Sequence, residues 1–262
     1  MTITGSNFDR RRKTKAQLEQ GGIEFADFEA KQLADAFSDE AGLQNAVARR
    51  IGGEPLQYIL GEWEFYGLTL KTDSRALIPR ADTETLVDTA LSFLADKKEA
   101  SIIDLCSGTG CIALAISKQS GFSVTALEKF DDAYSLLCEN VSLCNLPVVA
   151  VQGDLFDGPA DKRFDLIVSN PPYIKAQDIN CLQKEVGYEP KTALDGGIDG
   201  LDFYRAIASL WVPSLNEGGM LAVEIGIDQQ DDVKALFLQA GLHDITFYKD
   251  LSGIIRVVSG IK

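Results

Sequence analysis

Histidine is almost missing from this chain: His243 stands alone among 262 residues, alongside only two tryptophans, two methionines and eight prolines. That scarcity argues against a histidine-built zinc site. The five cysteines, Cys106, Cys111, Cys138, Cys144 and Cys181, are odd in number and lack the close pairing of a zinc site. Reduced thiols in a cytoplasmic protein, and no metal, are the expectation. Positive charge is also short. With 25 basic against 39 acidic residues the formal net charge is −14, which argues against long-range attraction to a nucleic-acid backbone or an anionic membrane. No apolar run approaches the roughly 20 residues of a membrane span, and the amino terminus has no apolar signal core. A hydrophobic content of 45% nevertheless allows a full core, so one large domain with a small one is expected.

The most informative stretch runs from Phe164 to Tyr173. Leu166, Ile167 and Val168 read as a strand covered on both faces. Pro171 and Pro172 end it, because neither can donate to a ladder and each holds the preceding residue extended. Asn170 is thereby placed at the carboxyl end of a strand, the edge where open α/β sheets bind ligands. An amide oxygen, two proline carbonyls and the flat ring of Tyr173 suit a planar group bearing an NH₂. A strand-ending turn with Asn170 bonded to its own backbone is the plainer alternative.

Residues 1–52 lack strand alternation and predict helices, at Ala16 to Gln20, Asp27 to Phe37 and Leu43 to Ile51, with Phe28, Leu33, Ala36 and Phe37 as a buried stripe. Arg10, Arg11, Arg12, Lys13 and Lys15 form one basic run, read as a solvated, frayed terminus ahead of contact with RNA or an acidic partner. Residues 53–80 change period: Tyr58 to Leu60, Trp63, Phe65, Leu68 and Leu70 predict a β-hairpin connector. Residues 81–262 open with Asp82 and Glu84 at the start of a helix from Thr85 to Leu94, where carboxylates favour the dipole.

Strands follow at Ser101 to Leu105, Phe122 to Leu127 and Val148 to Val151, each with an acidic residue at or just past its end: Asp104, Glu128 and Asp154. Between the first two lies Cys106, Ser107, Gly108, Thr109, Gly110 and a helix from Cys111 to Lys118. Such a loop lets a ligand lie against bare backbone. Three strand-end carboxylates would flank one nucleoside, Glu128 gripping ribose hydroxyls and Asp154 accepting from an adenine amino group while Leu155 or Phe156 covers the ring. Gly108, Gly110 and Ala113 alone also satisfy a nicotinamide pattern. The polar stretch to Gly200 suits a lid. Leu201 to Leu215 and Asp231 to Ala240 predict helices, Met220 to Glu224 a strand, and Ile245 to Tyr248 with Ile254 to Val258 a closing hairpin. The whole predicts an α/β fold with a seven-stranded doubly wound sheet, a small amino-terminal helical domain and the hairpin connector.

These residues resemble the class I S-adenosylmethionine-dependent methyltransferases, and Asn170 to Tyr173 is similar to the tetrapeptide of those that modify amino groups. The finer resemblance is to the release-factor glutamine methyltransferases, the HemK or PrmC family. It is carried also by Gly53 to Ile59, by Ile78, Pro79, Arg80, Thr83 and Glu84, by Glu189, Pro190, Ala193, Leu194, Gly196, Gly197, Asp199, Gly200 and Leu201, and by Asp250, Leu251, Gly253 and Arg256. Ala81 stands where the family usually has proline, and Glu128 where aspartate is more frequent. The resemblance implies S-adenosylmethionine as cofactor, held by Asp104, Cys106, Ser107, Gly108, Thr109, Gly110, Glu128, Asp154, Leu155 and Asn170. It implies Asn170, Pro171, Pro172 and Tyr173 as catalytic and, with Arg80 and Glu84, substrate-binding residues. The implied substrate is the glutamine of the Gly-Gly-Gln tripeptide in class I peptide chain release factors, methylated by a monomeric protein whose residues 1–52 dock the partner. Methylation of a ribosomal-protein glutamine or of a nucleic-acid amino group are the alternatives, and a non-catalytic cofactor-binding scaffold a further one.

Overall fold

A computed structural model describes residues 5–262, with side chains from Phe8 onward. Helices α1 (Gly5–Gln20), α2 (Ala26–Ala36) and α3 (Glu40–Ile51) are followed by the single-turn α4 (Leu56–Leu60). They enclose their own core, with Leu18, Ala30, Leu33, Leu43, Val47, Leu56 and Ile59 buried together. Asp39 caps α3 by accepting from the Gly42 N–H at 2.7 Å.

Three local expectations change here. On α2 the buried face is Ala26, Ala30, Leu33 and Ala34, while Phe28 and Ala36 are exposed and Phe37 half-buried. Small residues let α1 and α2 approach closely, so the larger ring faces out. The basic run is helical rather than frayed: Arg10 and Lys13 pair with Glu40, Arg11 and Lys15 with Asp27, and Arg12 with Asp9. Tyr58 to Leu60 belong to α4 rather than a strand, because Pro55 opens the turn and Gly61, at φ 79°, closes it. Strands β1 (Glu62–Phe65) and β2 (Leu68–Lys71) alone form the hairpin.

Past a 3₁₀ turn at Ala81–Thr83, α5 (Glu84–Leu94) leads to the main sheet: β3 (Ile102–Leu105), α6 (Cys111–Ser120), β4 (Val124–Glu128), α7 (Asp131–Cys144), β5 (Val148–Gln152), β6 (Phe164–Ser169), α8 (Asp202–Ala206), β7 (Leu215–Glu224), α9 (Gln230–Gln239), β8 (His243–Lys249) and β9 (Ile255–Ile261). Its seven strands lie in the order β5-β4-β3-β6-β7-β9-β8. The first five run parallel, and β9 joins β7 and β8 antiparallel.

Alternate strand residues serve opposite faces. Ile102, Leu166, Val168 and Ala222 pack under α5, α6 and α7, whereas Ile103, Leu105, Ile167 and Val223 pack under α8 and α9 with Tyr204 and Trp211. The expected helix from Leu201 instead breaks into α8, a π turn at Ile207–Trp211 and a 3₁₀ turn at Val212–Ser214, leaving Leu215 to begin β7. The chain winds from β3 outward to β5, then crosses back to place β6 on the other side of β3. That reversal opens a crevice at the carboxyl ends of β3 and β6.

Candidate active site

At the carboxyl end of β3 the chain turns through Cys106 and Gly108, both at positive φ, of 59° and 53°. Ser107 anchors the turn, its N–H donating to the Leu127 carbonyl and its hydroxyl to the Asp104 carbonyl. The Glu128 carboxylate lies alongside. It accepts from the Gly108 N–H at 2.9 Å through one oxygen and from the Lys129 and Phe130 N–H groups through the other. Three donors fix that carboxylate at the strand end and still leave it acceptor sites.

Beyond β5, Asp154 accepts from the Phe156 N–H at 3.0 Å and pairs with Lys129 at 2.7 Å. Burial works against its charge, yet Lys129 and the Phe156 N–H hold its carboxyl below the usual range. Leu155 is buried, its carbonyl accepting from the Trp211 indole at 2.8 Å, and Phe156 meets Phe203 edge to face at 5.2 Å. These groups wall a cavity of about 960 Å³, counting its open mouth. Asn170 and Pro172 close one side, with Ile78, Pro79, Arg80 and Thr83 above them.

The segment from Ile174 to Gly200 straps across this side. Ile174 bridges to Asp195, and the Gly196 N–H donates to the Ile174 carbonyl. Glu189, on the strap, has a side chain only 1% exposed, pairs with Arg80 and accepts from the Ile78 N–H at 3.0 Å. Burial pushes its carboxyl up, against the opposing pull of Arg80.

The chain matches the family model described as "Methyltransferase small domain" over residues 83–189. It is 42% identical to "Release factor glutamine methyltransferase" of Geobacter sulfurreducens, across 94% of this chain and 93% of that relative. The protein of the same description from Thermodesulfovibrio yellowstonii is 40% identical across 82% of this chain and 79% of its own length. The chain belongs to the release factor glutamine methyltransferase family. Solved structures share its fold at low identity. A methyltransferase from Pyrococcus furiosus has a TM-score of 0.56 at 18% identity, covering 84% of this chain and 98% of its own. The hMettl16 catalytic domain, solved with an RNA hairpin, reaches 0.61 at 17% identity, covering 83% and 82%.

The expected site residues of this family member fall into two groups. Cys106, Ser107, Gly108, Thr109, Glu128, Asp154, Leu155, Asn170, Pro172 and Arg80 all reach the cavity wall; Asp104, Gly110, Pro171, Tyr173 and Glu84 do not. Asp104 lies beneath the loop, completely buried, one oxygen accepting from the Ala113 N–H and the other without a partner. Burial pushes its carboxyl up to about 7. Glu84 faces away from the cavity, accepting from the Tyr66 N–H at 3.1 Å, because the hairpin lies over the first turn of α5. Gly110 packs on Leu137, and Tyr173 is half-buried against the core beneath α8 and α9. Sequence reasoning had no place for the walls given by Phe130 and Phe203, nor for Glu224, buried behind Asn170.

Proposed function

We propose that this protein transfers the methyl group of S-adenosylmethionine to the side-chain amide nitrogen (N5) of the glutamine in the Gly-Gly-Gln motif of class I release factors. The observation that carries this reading is the position of Asn170, immediately after β6 at the wall of a cavity whose far side holds Glu128. The relatives' name agrees with it.

The residues present fit the cofactor. Glu128 suits the ribose hydroxyls, the 107–109 backbone the amino-acid portion, and Asp154 with Leu155 and Phe156 the adenine. When bound, S-adenosylmethionine supplies an already electrophilic methyl, so the protein must chiefly hold a nitrogen in line with it. An amide nitrogen is a poor nucleophile because its lone pair is delocalised into the carbonyl. The Asn170 oxygen, at the wall, accepts from the substrate NH₂ and stabilises positive charge gathering there; the expected second acceptor, the Pro171 carbonyl, lies off the wall and would have to turn toward the substrate to take part. Neither proline carbonyl of this segment takes a backbone N–H among the described residues. Tyr173, held against the core at the end of the tetrapeptide, fixes the backbone of that segment and does not itself touch the amide, and the surplus proton leaves after transfer without a strong base. Arg80, tied to the strap through Glu189, borders the substrate side. Residues 1–52 dock the partner through the connector of 53–80, and the protein acts as a cytoplasmic monomer. With the cations of α1 paired to neighbouring carboxylates, no basic track among the described residues favours nucleic acid.

Incubation with labelled S-adenosylmethionine and a class I release factor, followed by peptide mass spectrometry, tests this. A methyl on the Gly-Gly-Gln glutamine is expected; transfer to a ribosomal protein or nucleic acid instead would displace the reading.

The strap supplies a second test. A Cβ on Gly196 would lie 2.7 Å from the Tyr173 Cα and 2.9 Å from the Pro172 carbonyl oxygen, backbone atoms that cannot swing aside. Gly196→Ala is expected to lower turnover by about ten-fold or more by shifting those carbonyls. Gly187→Ala, which meets nothing within 4 Å, is the control. Equal kinetics for the two variants would show that the strap does not set the geometry of the tetrapeptide.

A further inference from the structure

Glu224 ends β7, whose residue Val223 pairs with Ser169 of β6, so the carboxylate stands beside Asn170. It is 3% exposed, and its Oε2 makes no hydrogen bond. The Thr83 hydroxyl and the Asn170 amide are among the polar side chains around it, and both favour its charged form. Thr83 is itself buried and receives the Asn170 Nδ2–H at 3.3 Å.

This grouping bears on a question the reaction makes acute. An asparagine side chain turned over by half a rotation offers its NH₂ where its oxygen should be, and then repels the substrate NH₂ instead of accepting from it. The Thr83 hydroxyl can serve Asn170 as donor or acceptor. What stands behind it decides which. An ionised carboxylate only accepts, so the hydroxyl proton goes to Glu224 and the hydroxyl lone pairs are left for the Asn170 N–H. The amide oxygen is then the end that faces the cavity.

We infer that Glu224 is a positioning residue for methyl transfer, polarising the Thr83 hydroxyl so that Asn170 presents its oxygen, and not its NH₂, to the substrate amide. This deepens the function proposed above and rests on it for the identity of the substrate. Groups on every neighbouring element face this carboxylate: Arg256 on β9, Asp82 in the turn before α5, Tyr173 after β6, Tyr204 on α8 and Cys111 on α6. Arg256 also pairs with Asp82 at 2.9 Å. Burial pushes Glu224 up to about 7 despite the opposing pull of Thr83, Arg256 and Asn170. Tyr173, Tyr204 and Cys111 are pushed up by burial too and stay neutral through that range, while Arg256 stays charged. Protonated Glu224 could itself donate to Thr83, which frees the relay to reverse. Turnover therefore rises with pH as Glu224 ionises.

The test measures kcat and both KM values with saturating S-adenosylmethionine and release factor from roughly pH 6 to 8.5, together with the ¹⁵N-resolved side-chain NH₂ signal of Asn170. In the unaltered protein kcat is expected to rise through neutrality and the Asn170 signal to move with the same midpoint. Glu224→Gln, which can donate or accept, should lose about ten-fold or more in kcat, keep its KM values and show neither pH response. Thr83→Val breaks the relay at its other end and should show the same loss, so the inference does not hang on one variant folding. Wild-type kcat and pH rise in Glu224→Gln would overturn it, as would an Asn170 signal that titrates in that variant as in the parent. If no methyl reaches a release factor even with the unaltered protein, the functional reading fails, and the Asn170 signal still decides the role of Glu224.

Discussion

Replacing Asn170 with alanine is expected to lower turnover by about a thousand-fold while S-adenosylmethionine binds within about two-fold of its original affinity. The asymmetry follows from where the side chain stands. Asn170 is one residue of the cavity wall, whereas Glu128, the loop backbone, Phe130 and Phe203 line it elsewhere. The amide oxygen is needed when charge gathers on the acceptor nitrogen, a moment with no counterpart in binding. Steady-state kinetics beside calorimetric titration of the cofactor separate the two quantities. A loss of affinity as large as the loss of turnover would make Asn170 a cofactor-holding residue.

The largest expected effect on stability belongs to Arg50, far from the tetrapeptide in sequence. Its side chain is 6% exposed and grips Glu29 through two bonds of 2.6 and 3.0 Å, with Glu185 of the strap at 2.7 Å. Arg50→Ala strands the Glu29 carboxylate in the helical core without a counter-charge, a loss of about 3–5 kcal/mol. For a domain of this size the melting point should fall by roughly 10 °C. Arg50→Met combined with Glu29→Leu should recover most of that, because an apolar pair carries no desolvation cost. A melting curve of Arg50→Ala that overlays the parent would show that the pair contributes nothing net. The third member of the cluster gives the variant a further consequence, since losing Glu185 also unties the strap from α3.

The parts of this molecule that could be read from the chain are those where one residue type answers one local demand. Leu166, Ile167 and Val168 had to form a doubly covered strand, the prolines had to end it, and the glycine loop had to turn after β3. Their places in the fold follow those demands. Helix α7 is absent from the expectations although it carries the same kind of local signature, with Asp131 and Asp132 in its first turn and Leu136 and Leu137 buried. Other assignments depend on partners distant in sequence. Glu84 carries the same first-turn signature whether it meets a substrate or the Tyr66 N–H, and only the hairpin's position decides. Asp104 and Glu128 both stand at the carboxyl ends of strands, yet the loop folds over the first and opens beside the second. Glu224 reads as the last residue of an apolar strand, and nothing local reveals that Thr83 and Asn170 meet it.

The order of the sheet has a further consequence for how the molecule comes to be competent. Strand β9, the last along the chain, lies between β7 and β8, so β8 has no partner in the sheet until β9 is in place. During vectorial synthesis β3 to β7 can assemble as they emerge, but the far edge must wait and then dock as one hairpin. Arg256 arrives with that hairpin, and with it a positive charge that favours ionised Glu224. A nascent chain therefore forms the crevice at β3 and β6 early and gains the charge environment around Glu224 and Asn170 only when the closing hairpin seats, so the two sides of the cavity mature at different times.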